Sequence, residues 1–158
     1  MLRAITPALV SIALLAAWLG AALIIAAVVA PAAFDVLPTR TLAGALVGRV
    51  LPTLFWSGIV VGLLVLWVGW RLPLPQVRTA SAFILVAACA VAQLVIAPRI
   101  ERVRAAIGGP MDALDPSSPL RQAFGRLHGL SVACLGVGGL AALVTLVLLL
   151  RLTSRSTP

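Results

Sequence analysis

The sequence contains no lysine, tyrosine or asparagine, one histidine (His128), two cysteines and only four acidic residues. Each shortage removes a class of chemistry. With one His, no CxxC pair and no Cys/His cluster, a zinc site or paired-histidine haem ligation lacks the residues it needs. The carboxylates Asp35, Glu101, Asp112 and Asp115 form no paired acid/base motif, and no Ser/His/Asp set or phosphate-binding loop stands out. The expectation is therefore a protein without cofactor or metal, and not an enzyme. Cys89 and Cys134 both lie inside apolar runs, where a free cysteine behaves as a small hydrophobe.

All twelve basic residues are arginine, and the formal charge is +8. They are scattered singly between apolar runs rather than gathered on one face, which argues against nucleic acid as a partner. What is abundant is apolar: 62% of residues are hydrophobic and the mean hydropathy is +1.17. A soluble domain of this size holds roughly 45–50% apolar residues, so the excess must face lipid.

A membrane helix needs about 20 mostly apolar residues, and four stretches qualify: 8–30, 50–70, 79–97 and 127–150. Backbone groups in lipid must be satisfied within the segment, and the period-2 alternation of barrel strands is absent, so all four read as helices. The fold class expected is an all-α membrane protein. It is a single four-helix transmembrane domain over residues 1–158, with short interfacial helical extensions before helix 2 and after helix 3. The first run, ending in "AVVAPAAF", could serve as a signal peptide. Its apolar part, at about 20 residues, exceeds a secretory core of about 7–15, and an uncleaved helix is expected. Trp56, Trp67 and Trp70 bracket the second span as interfacial anchors, whereas Trp18 lies mid-span, against a neighbouring helix or lipid.

"RLPLPQVR" joins spans two and three tightly, which makes them antiparallel neighbours. Opposite lie "PAAFDVLPTRTLAGALVG" and "PRIERVRAAIGGPMDALDPSSPLRQAFGR". Pro98 can open a helical turn, Glu101 and Arg104 can pair at i, i+3, and Ser118 before Pro119 reads as an N-cap. The face with both termini carries Arg3, Arg71, Arg78, Arg151 and Arg155. Arg40, Arg49, Arg99, Arg102, Arg104, Arg121 and Arg126 lie on the other. If Arg49, Arg99 and Arg126 sink into the bundle, basic residues favour cytoplasmic termini by five to four. The expected location is then a bacterial inner membrane with both termini cytoplasmic.

Polar residues converge on the connection face, and ionisable groups sunk into a bundle mark a pathway, a site or an internal ion pair. The candidate polar site comprises Arg49, Gln93, Arg99, Glu101, Arg126, His128 and Ser131. Arg49, more than two turns inside a helix starting near Thr41, reads either as an interfacial Arg or as the ion-pair partner of Asp35 or Glu101. Gln93 reads as interhelical glue. Gly44 and Gly48 on helix 2, and Gly125, Gly129 and Ala133 on helix 4, have the spacing of small residues that let helices approach. The second set would turn His128, with Ser131 on its face, towards a neighbouring helix.

Three stretches, "FDVLPTRTLAGALVGRVLPTLFW", "QLVIAPRI" and "FGRLHGLSVAC", resemble the transmembrane protein 205-like family. These are small four-helix membrane proteins that include a bacterial domain of unknown function. The likeness rests on Leu37, Pro38, Gly44, Pro52, Phe55, Pro98, Arg99, Phe124, His128, Gly129 and Ser131. Where that family often carries Asn, near the end of span three and after the His-Gly-Leu-Ser stretch, this chain has Gln93 and no amide. The resemblance implies a fold and a membrane, and no reaction. Two functions fit: a small transport or membrane-stress bundle with its polar focus on the connection face, or a structural or partner-binding membrane subunit. An intramembrane enzyme or cofactor binder fits least. The partners expected are the lipid bilayer and either a second copy or another membrane protein.

Overall fold

The computed structural model describes residues 2–69 and 76–155. Trp70 and the "RLPLP" part of the second connection, read above as an anchor and a tight turn, lie outside them. Helix α1 (Leu2–Ile24) passes through a wider π segment (Ile25–Val29) into α2 (Ala30–Val36). Helix α3 spans Arg40–Gly69. Helix α4 (Gln76–Ala90) passes through a second π segment (Val91–Ile96) into α5 (Ala97–Ile107), and after a 3₁₀ turn (Met111–Ala113) α6 runs over Pro119–Arg155.

Four of these helical stretches are long and apolar enough to cross a membrane: Pro7–Val36, Arg40–Val68, Gln76–Ile107 and Pro119–Ser154. Each is longer than the span read from the sequence, and the helical extensions expected before helix 2 and after helix 3 are present at 40–49 and 98–107. At two ends the extra length runs past a proline. Pro31 and Pro98 lack an N–H and would clash with the carbonyl four residues back. In both places the helix widens just upstream: Ala30 N–H donates to Ile25 O and Ala97 N–H to Ala92 O, each five residues back. The matching "VVAP" and "VIAP" strings thus carry the helix through rather than ending it. Gly108, at φ 64°, stops α5 in the left-handed conformation that glycine adopts without strain, and its N–H caps Arg104 O.

The four spans form a ring in which α1 lies between α3 and α6, and α4 packs on the other side of both. Leu15, Val65, Leu85 and Leu149 are fully buried at its centre, with Trp18, Phe55 and Cys89. Outside, Leu23, Val60, Leu63, Phe83, Leu94 and Leu140 are more than half exposed, the pattern of a bundle whose solvent is hydrocarbon. Trp56 and Trp67 are also exposed. Trp67 stands near the end of α3, whereas Trp56 lies near its middle, at the level where Trp18 meets Leu54, and not at the end of a span as read from the sequence.

Polar groups inside are few, and several are bonded. Trp18 is buried and donates Nε1–H to Leu54 O at 3.0 Å, so its mid-span place serves helix packing. Ser81 Oγ and Thr145 Oγ1 meet at 2.8 Å between α4 and α6, and both reach a carbonyl of their own helix. Cys89 and Cys134 are free thiols, the first buried and the second half-buried.

Candidate functional site

Thr39 starts the relevant end of the molecule. Its Oγ1 accepts from Leu42 N at 3.2 Å, an N-cap that begins α3 at Arg40 and so places Gly44 and Gly48 in its first turns. Arg104 reaches this surface from α5. Its Nη2 donates to Gly44 O at 3.2 Å and its Nη1 to Glu101 Oε1 at 3.2 Å. The guanidinium carbon also lies 5.5 Å from the centre of the Phe124 ring on α6, a cation–π contact. Phe124 in turn stacks on His128, one turn along, with centroids 6.2 Å apart and planes 2° from parallel. A Cβ on Gly48 would come within 3.0 Å of Arg104 Nη2, so this glycine makes the seat on which the guanidinium rests. One half-buried arginine thereby ties α3, α5 and α6 together.

The turn leading into α6 is built around Asp115. Its carboxylate accepts from Ser117 Oγ and from Ser117 N at 2.7 Å. Arg121 Nη1 donates to Leu114 O at 2.7 Å, and Gln122 N closes on Ser118 O. Pro119 then opens α6 with Ser118 before it, as the sequence suggested. The bonds from Ser117, first from its hydroxyl and then from its amide, hold the Asp115 carboxyl below the ordinary carboxylate range. A carboxyl lowered on folding contributes stability above its unfolded value and loses it as pH falls through its folded value. The Ser117 amide should therefore be protected at neutral pH, exchanging more slowly than its intrinsic rate at that pH, and lose the protection once Asp115 is protonated. Asp115→Ala should exchange at the intrinsic rate at every pH, as hydrogen exchange followed by mass spectrometry can read.

The structure brings together part of the polar site read from the sequence. Glu101 pairs with Arg104, at the expected i, i+3 spacing, and His128 joins through Phe124. Arg49, Arg99 and Arg126 are exposed. Among the described residues Arg49 pairs with neither Asp35, itself exposed, nor Glu101. Gln93 is half-buried within the second π segment, and its Oε1 is buried without a hydrogen-bond partner among the described residues. Ser131 is buried while His128 is exposed, so the two do not share a face.

The small-residue positions are corrected more sharply. A Cβ on Gly44, Gly125 or Gly129 meets no atom within 4 Å. Gly125, Gly129 and Ala133 are exposed, on the side of α6 turned away from the bundle. Of the predicted positions only Gly48 makes a close approach, to Arg104, and the other close approaches fall at Gly58 and Gly62, with Gly138 in ordinary contact. The residue that sequence reasoning underrated is Arg104, taken only as Glu101's partner. "GxxxG" at Gly44 and Gly48 was the available signal, since an exposed-looking pair of glycines on α3 has room for a guanidinium.

No curated protein and no solved structure matches this sequence. The family profile of a domain of unknown function, DUF4149, matches residues 13–108. That stretch runs from within α1 to the glycine that ends α5, and includes both π segments and Arg104. With more than half of its length matched, this four-helix chain belongs to the DUF4149 family.

Proposed function

We propose that this DUF4149 chain is a membrane subunit that associates, through the outer face of α6, with another membrane-embedded helix. The observation that carries this is the emptiness over Gly125, Gly129 and Gly136, where an added Cβ meets no atom within 4 Å. These three lie within about 40° of one another around the helix. Exposed Val132 and Leu140 flank them, one on either side. Glycine in a helix costs about 1 kcal/mol relative to alanine, and packing within this chain does not explain it here. Small residues that let backbones approach are how helices associate in lipid.

The test is association in nanodiscs and in mild detergent. A dimer, or a stoichiometric complex with a second membrane protein, is expected for the wild type. Gly125→Leu/Gly129→Leu should weaken it about tenfold or more with an unchanged melting temperature. A wild type that is monomeric and without a co-purifying chain, or a complex indifferent to both substitutions, overturns the reading. The second reading, transport, is favoured by one observation: the unpartnered Gln93 Oε1 inside a π segment, a distortion often found at functional sites.

The kinship suggested by the transmembrane protein 205-like resemblance, and a bacterial inner membrane as the location, belong to the same proposal. The orientation we propose is the reverse of the one read from the sequence. Arg49, Arg99 and Arg126 are exposed, so all seven arginines of the connection face count against five on the terminal face. The positive-inside rule then sets the connections in the cytoplasm.

A further inference from the structure

Arg78 stands at the other end of the bundle, on the first turn of α4, and is only 2% exposed. Among the described residues its guanidinium makes no hydrogen bond and no ion pair. A buried guanidinium without a counter-charge is among the most expensive arrangements a protein can hold. Among the described residues no acidic side chain stands near it. Asp35, Glu101, Asp112 and Asp115 all belong to the connection end, and the 23 residues of helix from Arg78 to Glu101 span about 35 Å.

The space beside Arg78 shows where a counter-charge could come from. A groove of about 380 Å³ lies between α3 and α4, lined by Leu63, Leu66, Trp67, Arg78, Thr79 and Ala82. That is about a dozen water-sized volumes, enough for a phosphate and the first carbons of one chain. Leu63 and Trp67 are each more than half exposed, so the groove wall continues onto the lipid-facing surface. We propose that this groove binds an anionic phospholipid, its phosphate on the Arg78 guanidinium and one acyl chain along Leu63, Leu66 and Ala82. The guanidinium fork matches a phosphodiester, and Thr79 adds a hydroxyl at the same level. A head group with net negative charge neutralises Arg78, whereas a zwitterionic one brings its own cation. The apolar wall selects a lipid over a free anion. The site is separate from the α6 face and holds whether or not that face binds a partner.

Native mass spectrometry of the detergent-purified chain, offered phosphatidylglycerol or phosphatidylcholine of matched chains, reads this directly. The wild type should retain phosphatidylglycerol about tenfold better, the effect of one charge-assisted contact. Arg78→Gln should bring it down to the phosphatidylcholine level, while Arg126→Gln, an exposed arginine at the opposite end, changes nothing. Leu63→Trp fills the groove from its lipid side and leaves Arg78 intact. It should lower retention of both lipids, and it carries the test should Arg78→Gln fail to fold. Equal retention of the two lipids by the wild type, or unchanged phosphatidylglycerol on a folded Arg78→Gln or on Leu63→Trp, overturns the proposal. So does full displacement of the lipid by millimolar inorganic phosphate, which would make this an anion site rather than a lipid site.

Discussion

Gly58→Ala is expected to destabilise the bundle by about 1–3 kcal/mol, and Gly58→Leu to prevent it from forming, because both overpack a contact that cannot yield. A Cβ at this position would stand 2.6 Å from Cys89 Sγ and 2.9 Å from Trp18 Nε1. Neither neighbour has anywhere to go. Cys89 is fully buried and Trp18 is 3% exposed, and the indole is fixed by its 3.0 Å bond to Leu54 O. Turning the indole aside would give up that bond, worth about 1 kcal/mol, as well as core packing. Gly58 is thus the opening through which Trp18 of α1 reaches the backbone of α3 and Cys89 of α4 closes on both. Reversible unfolding in mixed micelles measures the cost, with Gly20→Ala as control, since a Cβ there meets no atom within 4 Å. In the double-mutant cycle, Cys89→Ala removes the shorter of the two clashes and should recover part of the loss. Gly58→Ala within about 0.5 kcal/mol of wild type, the range of an unimportant surface change, would show that α1, α3 and α4 do not meet here.

How much of this was legible in the sequence differs between the helices and their faces. Four spans were readable because an apolar run of about 20 residues in lipid has one economical backbone solution. The helical extensions before helix 2 and after helix 3 are legible too, Pro98 reading as the start of a new turn, but the continuation of the first span past Pro31 is not. The i−5 bonds that carry the helix past both prolines are a geometric accommodation with no composition of its own. The rotation of α6 was misread for a related reason. Its whole circumference is apolar, so hydropathy does not say which side is inside, and the four-residue spacing of the glycines points to the wrong side as the inner seam. The better signal was polar: Ser131 and Thr145 are the buried pair, in line with Gly138, Ala142 and Leu149. Within the site, Glu101–Arg104 and Phe124–His128 follow from helical spacing. Arg104 to Gly44 joins residues 60 apart in sequence, and nothing local announces it.

That long-range bond predicts the second large effect. Arg104→Ala should accelerate amide exchange across Ala97–Ile107 by about 10- to 100-fold, with little change in the exchange of the α1, α3 and α4 core. Helix α5 contributes no buried residue, so apolar packing does little to hold it down. What holds it is the guanidinium: a charged hydrogen bond to Gly44 O, of about 1.5–3 kcal/mol, and the face of Phe124, of about 0.5–1 kcal/mol. The pair with Glu101 contributes least, because that carboxylate is 67% exposed and an exposed pair is worth about 0–1 kcal/mol. Glu101→Ala should therefore change exchange by no more than about twofold to fivefold. Arg104→Lys keeps the charge but lacks the planar fork that reaches a carbonyl while lying over a ring, and it should fall nearer to alanine than to wild type. Gly48→Leu should reproduce the Arg104→Ala result with the arginine still present, since it fills the seat from the α3 side. If Arg104→Lys restores wild-type exchange, the contribution is charge alone. If Glu101→Ala matches Arg104→Ala, the i, i+3 pair and not the bridge to α3 is what secures this end of the bundle.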